Sequence, residues 1–446
     1  MKKLLLLFAI LFSTITYSQS LEYNDLGVLF TGNEYNGTAR FNAMSGAFGA
    51  LGGDLAAMSI NPAGAAVFIN NEFGISLSNR NSIINTTFYN NTKNNENDYF
   101  KLPQMGGVVV FENYNQNSNW KNVAVGFNYS MASDFKNEWI ASGNSQYATY
   151  IFDQVNTNIR YLNVDDQVFG NFMKGKNDQY TFSVASQYNE QLLVGFSIIS
   201  YSIDFYQKAI LEEYNNNGSG STIDASLIQE LSTVGDGLSF GLGFIAKPIK
   251  NMRLGFAYQS PVWYDLAEEF IAEDLQLKYS NTTQVYTEYS GVNRFDYRLR
   301  TPSTLTGSFA YIFDKQGLIS VDYIYKNYSG ILLSGDDFSS ENLKFKDNLS
   351  GNTRLNIGTE WRFDKLSVRG GLHTEKSPYK NAGNNENIDG YSFGFGYNFG
   401  QFKFDVAYSK SEQTKYYDFY PQYNQINAAT LATENSKVTA TLIFKL

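Results

Sequence analysis

Tyr391, Phe393, Phe395, Tyr397 and Phe399 alternate with Ser392, Gly394, Gly396 and Asn398. A repeat of two is the period of a strand, so five rings share one face and small or polar groups share the other. A short turn near Gly400 leads into Phe402, Phe404, Val406 and Tyr408, alternating with Lys403, Asp405 and Ala407. The two runs read as a hairpin with both apolar faces on one side. That face suits lipid. Phe395 should therefore face outward, where arginine is costly, and Gly396 should face a lumen, where serine should be far milder.

The same alternation gives paired runs at 104–112 with 121–132, 178–188 with 191–206, 237–247 with 251–263, 293–313 with 318–328, and 352–363 with 365–376. Single runs at 72–86 and 436–446 open and close the set. That makes fourteen predicted strands, an even number, as a closed bacterial barrel needs. Short connections (Asn189-Glu190, Lys247 to Asn251, Asp314 to Gly317, Asp364-Lys365, Phe399 to Gln401) alternate with long ones at 133–177, 207–236, 264–292, 329–351 and 413–435. Outer-membrane barrels show this asymmetry, whereas a soluble sandwich has no reason to. The expected class is all-β: a transmembrane antiparallel β-barrel of about 14 strands, with an N-terminal hatch inside the lumen. Mean hydropathy is negative, but strands that alternate hide from a hydropathy window. The 33 Tyr and 35 Phe against only 7 Pro fit the barrel.

The hatch is the stretch from Gly37 to Phe68, small and apolar where the rest alternates. Glycines at 46, 49, 52 and 53 permit tight turns. Phe41, Met44, Phe48, Leu51, Leu55 and Met58 recur at roughly helical spacing. Asn61-Pro62 should end any helix before Asn61, because the ring disfavours helical geometry in the preceding residue. Ahead of the hatch, Lys2 and Lys3, an apolar run from Leu4 to Phe12, and small residues Thr16 and Ser18 have the layout of a secretory signal cut before Gln19. Nine apolar residues are too few to cross ~30 Å of hydrocarbon. The expected organisation is a signal peptide over 1–18, a hatch over 19–70 and a barrel over 71–446. No linker divides the barrel.

The chain has no cysteine, which excludes disulfides and thiolate metal sites. Its net charge of −9 becomes −11 once Lys2 and Lys3 are removed, and an acidic, aromatic chain argues against nucleic acid as partner. The last strand runs Val438, Ala440, Leu442, Phe444, Leu446 to the chain end, which looks like a signal read by barrel-assembly machinery.

A hatch ending in Asn61-Pro62-Ala63-Gly64, followed by a barrel of this size, resembles the FadL/TodX family of outer-membrane transporters for long-chain fatty acids and other hydrophobic compounds. Further matches are Arg253 to Pro261, Tyr297-Arg298-Leu299-Arg300-Thr301-Pro302, and Asn356 to Phe363 leading to Val368-Arg369-Gly370-Gly371-Leu372 and Ser377-Pro378. The resemblance implies fourteen strands with the lumen closed by a hatch. It also implies a ligand caught outside, passed to an interior pocket and released sideways through a gap in the wall. It places Asn61, Pro62, Ala63 and Gly64 at the gate, and the loops after the fifth and seventh strands at the outer binding groove.

The residues fit that implication. A hydrophobic substrate gains nothing from a water-filled pore; it needs an apolar catching surface and an apolar interior. Candidates for the interior lining are Phe41, Met44, Phe48 and Leu51. For the catching surface, Tyr147, Tyr150, Ile151, Val155 and Ile159 lie at helical spacing, as do Ile223, Leu227, Ile228 and Leu231, and Leu266, Phe270, Ile271 and Leu275. Such helices could cap the barrel, form a groove, or both. Inward positions carry Arg354, Glu360, Arg362, Arg369, Lys403, Asp405 and Asp322. These are either wall ion pairs or, at Arg354, Arg362 or Arg369, a site for a carboxylate head group.

No enzymatic motif stands out: the single His373 has no serine motif beside it, and the glycines from 46 to 53 lack the ending of a phosphate loop. Neither cofactor nor metal is expected. The expected partners are hydrophobic small molecules, outer-membrane lipid and, during biogenesis, the barrel-assembly machinery, with the chain a monomer. The competing expectation is a secretion or assembly component of the same fold that binds protein partners.

Overall fold

The computed structural model describes residues 22–446 except 116, 155 and 336, so the signal expected over 1–18 and Val155 lie outside the described residues. The chain opens with α1 (Tyr23–Thr31) and α2 (Ala39–Ala43), then single 3-10 turns at Ala56–Ser59 and Pro62–Val67. The strands follow: β1 (Glu72–Phe88), β2 (Asn91–Glu112), β3 (Trp120–Asp134), β4 (Asn137–Gly143), β5 (Asn163–Tyr188), β6 (Leu192–Asn216) and β7 (Thr222–Ile249). Next come β8 (Met252–Gln259), β9 (Trp263–Tyr279), β10 (Val285–Tyr289), β11 (Val292–Arg300), β12 (Thr304–Phe313), β13 (Gly317–Asn327) and β14 (Leu332–Ser334). After α3 (Ser339–Asn348) the chain completes the sheet with β15 (Gly351–Phe363), β16 (Leu366–Glu375), β17 (Ile388–Asn398), β18 (Phe402–Tyr417) and β19 (Ala429–Lys445).

Fourteen of these strands close a wall in the order β1, β2, β3, β5, β6, β7, β8, β12, β13, β15, β16, β17, β18, β19, and β19 pairs back with β1. All neighbours are antiparallel, and with β19 paired to β1 the sheet closes into a ring. The tight turns expected at one end are present. Asn189, Asp314 and Asp364 hold positive φ there, the left-handed geometry that Asn and Asp tolerate and short hairpin turns need. Outward positions are apolar and exposed, among them Phe393, Phe395, Tyr397, Phe256 and Phe309.

Two expectations fail at the other end. The segments 207–236 and 264–292 are not helical loops. Ile223, Leu227, Ile228 and Leu231 lie in β7, while Leu266, Phe270, Ile271 and Leu275 lie in β9. A spacing of four returns to the same face in a strand as well as in a helix, so Ile223 and Leu231, like Leu266 and Phe270, are buried inward strand positions. Over 147–159 no helix forms; the described residues run irregularly, with a single bridge between Phe152 and Arg160. The runs 251–263 and 293–313 are also broken, at residues 260–262 and 301–303.

Candidate functional site

The hatch fits the lumen because the wall is hollowed opposite it. A Cβ at Gly243 would come within 2.0 Å of Asn61 Oδ1, one at Gly195 within 2.4 Å of the Pro62–Ala63 backbone, and one at Gly358 within 2.7 Å of the Met44 carbonyl. Glycine at these inward positions is what lets two backbones approach. Asn61 is the central tie. Its amide donates to the carbonyls of Gly49 (2.7 Å) in the hatch and Phe244 (3.1 Å) in β7, and its Oδ1 accepts from Ala63 N (3.1 Å), capping the turn that Pro62 begins. From β13, three strands along the wall from β7, Asp322 accepts the Gly49 N–H at 2.8 Å. Ala63 and Gly64 are buried in that turn.

Phe41, Met44, Phe48 and Leu51 form one packed cluster with Ala50, Ala56, Ala57, Ala310 and Leu318. The rings of Phe41 and Phe48 stack at 5.4 Å, and the Arg40 guanidinium covers Phe48 at 5.0 Å. Of the expected helix, one short α-turn at Ala39–Ala43 and the 3-10 turn at Ala56–Ser59 exist, and the latter ends before Asn61. The glycines at 46, 52 and 53 take the left-handed conformation.

The inward charges split into two groups. Glu360, fully buried, binds Arg40 of the hatch, Arg362 and Arg369 at 2.7 Å each, and Arg369 continues to Asp405. Arg354 stands apart: it pairs with Glu375 at 2.9 Å and lies over the Tyr35 ring at 4.1 Å. Gly396 faces the lumen as expected, but a Cβ there would come within 1.9 Å of Asp405 Oδ1. The tolerance expected of serine at 396 is therefore corrected, because the Arg369–Asp405 pair fills the space. His373 Nδ1 lies 3.4 Å from Ser45 Oγ, which in turn bonds Ser392 Oγ at 2.8 Å; all three are packed between hatch and wall.

Above the hatch lies an apolar chamber that sequence reasoning missed. Inward Ile199, Tyr201, Ile203 and Phe205 of β6, Tyr264 and Leu266 of β9 and Leu299 of β11 surround it, with Phe345 of α3 above. It is occupied by α1. Leu26 and Phe30 are buried in it, with Phe30 packing edge-on to Phe205 (5.5 Å) and tilted against Phe135 (5.7 Å). A cavity of about 30 Å³ lies beside α1, between Phe30, Tyr201, Tyr264, Thr304 and Lys326. Buried Glu268 ties the arrangement together, accepting from Tyr297 (2.9 Å), Tyr23 of α1 (3.1 Å) and Thr233 (3.2 Å). The available signal was Leu26 with Phe30, four residues apart just before the hatch.

The wall is interrupted on one side. β2 pairs with β3 only up to Gln104↔Ser130, then runs on to Asn91 beside β1 alone. β4 pairs with β5, and side chains replace its missing ladder: Ile140 N donates to Asn95 Oδ1 (3.0 Å), and Asn97 donates to the Glu138 carbonyl (3.0 Å). Asn97 is buried on the inward face of β2, so β4 is drawn to the lumen side of that strand.

A model of the family described as outer membrane protein transport protein (OMPP1/FadL/TodX) matches residues 29–441. The chain belongs to the FadL/TodX family. Among solved structures, this FadL/TodX protein is similar to a Pseudomonas aeruginosa FadL homologue (12% identity, 92% of this chain and 98% of that one, TM-score 0.58). It is also similar to the Pseudomonas putida toluene transporter TodX (14%, 93% and 99%, TM-score 0.56) and the Ralstonia pickettii toluene transporter TbuX (15%, 93% and 99%, TM-score 0.55). A comparison with curated proteins returned no match. FadL/TodX membership makes the chain an outer-membrane transport protein.

Proposed function

We infer that the protein carries hydrophobic small molecules, fatty-acid-like or aromatic, across the outer membrane. Ligand is captured at the outer mouth, held in the interior chamber, and released sideways when the hatch region rearranges. The observation that carries this reading is the apolar chamber of Ile199, Tyr201, Phe205 and Tyr264, now filled by Leu26 and Phe30 of α1 above a closed hatch. An aqueous pore has no use for such a chamber, and an apolar ligand that displaces α1 would exchange one set of apolar contacts for another. Asn61, Pro62, Ala63 and Gly64 act as the latch of the hatch, and Phe41, Met44, Phe48 and Leu51 become pocket lining only when it moves. Arg354, beside Tyr35 and below α1, is the candidate for a carboxylate head group; Glu360, Arg362 and Arg369 serve as the wall anchor of Arg40. Release follows the interruption between β2 and β4.

Binding of a radiolabelled long-chain fatty acid and of radiolabelled toluene to the purified protein in detergent tests the reading. Saturable binding of either, lost when chamber residue Phe205 becomes Arg, is expected. Binding of neither ligand would refute it.

A further inference from the structure

On the far side of the barrel from β2, the ladder breaks twice at one height. Gln259 of β8 pairs with Thr304 of β12, and Trp263 of β9 pairs with Arg300 of β11. Both pairs lie on one register, so Pro261 and Pro302 fall opposite each other, and neither can donate a ladder bond. Beyond them β13 leaves β12 at Lys326↔Thr304, and β14 joins β11 only at Leu332↔Arg300. The 3-10 turn Tyr328–Gly330 occupies the interval.

This break holds a cavity of about 350 Å³ lined by Pro261, Arg300, Pro302, Leu305, Tyr325 and Gly330. The small cavity beside α1 shares Thr301 and Pro302 with it, so a two-residue link separates the chamber from the outer face of the wall. A Cβ placed on Gly330 would meet nothing within 4 Å.

The height of the break is legible from the outward residues. Below it they are exposed Leu254, Phe256, Leu305 and Phe309. Above it they are the ion pairs Arg298–Asp265 and Arg294–Glu269, each at 2.8 Å. Tyr258, Trp263 and Tyr325 stand exposed at the change. Aromatic residues at an apolar-to-charged boundary mark the membrane interface.

We propose that the paired-proline break is a side door: a binding site for a single-ring aromatic hydrocarbon dissolved in the outer leaflet, which enters the chamber when the Thr301–Pro302 link shifts. The volume lies within the range of small-ligand pockets, and the prolines, Leu305 and Tyr325 supply apolar walls. The prolines donate no ladder bond, so moving the link breaks the bonds that Thr301 makes with Val262, from Thr301 N–H to the Val262 carbonyl (3.0 Å) and from Val262 N–H to Thr301 Oγ1 (2.9 Å), while β8, β12 and β13 stay paired. The door rests on the reading that apolar compounds occupy the chamber. It differs in place and direction from release beside β4.

Thr304→Cys puts a single thiol in the cavity beside α1 of a chain with no other cysteine. In lipid vesicles, bilayer-dissolved N-benzylmaleimide should label it, and adding Gly330→Trp should slow that labelling about tenfold, the span of one decade in an equilibrium or rate comparison. A charged, impermeant maleimide entering by the outer mouth should react equally with both proteins. Absent labelling by the apolar reagent, or labelling unchanged by Gly330→Trp, overturns the door. Should Gly330→Trp fail to fold, Gly330→Cys can be folded first and capped afterwards with a bulky methanethiosulfonate. Toluene uptake should then fall on capping and recover on reduction, and unchanged uptake overturns the door. A native protein that neither binds nor takes up toluene sinks the uptake reading instead, while the labelling comparison still decides the door.

Discussion

The guanidinium of Arg40 and the carboxylate of Glu360, 320 residues apart in the chain, meet at 2.7 Å and fasten the hatch to the wall. Glu360 is shared by three guanidiniums, of which Arg369 also pairs with Asp405 and Arg362 is half exposed, so Arg40 depends on it most. Glu360→Gln leaves the buried Arg40 guanidinium without its carboxylate and should cost about 3–5 kcal/mol, because breaking a buried pair strands the partner. Arg40→Met should cost the barrel less, since Arg362 and Arg369 still hold Glu360, but it should free the hatch to protease. Urea unfolding in detergent measures both; a Glu360→Gln barrel as stable as the native one would show that the network does not hold the wall.

Asn61→Ala removes two bonds to carbonyls and one cap, leaving groups buried without partners at about 1–3 kcal/mol each. Hydrogen exchange over residues 44–68 should accelerate while exchange in the wall strands stays slow. Gly243→Ala should do the same from the other side, by driving a methyl into Asn61 Oδ1. If neither variant changes hatch exchange, Asn61 is not the latch.

Outward Phe395→Arg should cost about 2–4 kcal/mol, as a cation at mid-membrane depth does, and Phe395→Leu very little. Gly396→Ser, on the inner face, should also be costly, because its side chain would displace Asp405 from Arg369. A tolerated Gly396→Ser would mean that the pair yields more easily than its burial implies.

If transport requires the proposed hatch movement, locking the hatch should stop it. A Cβ on Gly394 would lie 2.7 Å from that of Ala43 and 2.6 Å from the Val406 carbonyl, so cysteines at both positions form one unambiguous disulfide once β17 eases away from the hatch and from β18. Uptake should stop on oxidation and return on reduction, with binding at the outer mouth retained. Full uptake by the oxidised, fully cross-linked protein would show that the hatch need not move.

The seating of α1 should depend on pH. Burial raises the Asp25 carboxyl above its ordinary range, only partly offset by the hydroxyl of Tyr379. A raised pKa in the docked state means docking is strongest below the ordinary carboxylate pKa and weakens as pH rises through the docked value. Amide exchange in α1 should therefore be faster at high pH than intrinsic exchange alone accounts for, and Asp25→Asn should remove that excess. The same excess in Asp25→Asn would assign the pH response to another group.

The wall was legible in the sequence because period-two alternation survives almost everywhere along it. It failed where two periods coincide: Ile223, Leu227 and Leu231 are four apart and satisfy a helix and a strand alike. It failed again at Pro261 and Pro302, where the inward face changes from odd to even positions and a continuous run hides a break. Alternation also fixes face but not height. Arg354 and Glu360 both point inward on β15, yet six residues of strand set them roughly 20 Å apart, so they serve different partners. The chamber was illegible for a related reason: its lining joins inward positions of β6, β9 and β11, and they become a pocket only when the barrel closes.

The lengths of β5, β6 and β7 have a consequence for how such a molecule meets its surroundings. At 26, 25 and 28 residues they are far longer than the 9–11 residues that a tilted strand needs to cross a bilayer. The surplus stands outside as a paired, hydrogen-bonded turret. If capture begins there, as proposed, a compound meets a paired sheet whose shape exists before it binds, so little chain entropy is lost on capture. Selectivity at the entrance can then change by exchanging side chains on the turret, leaving the membrane-embedded half of each strand, and the hatch it encloses, untouched.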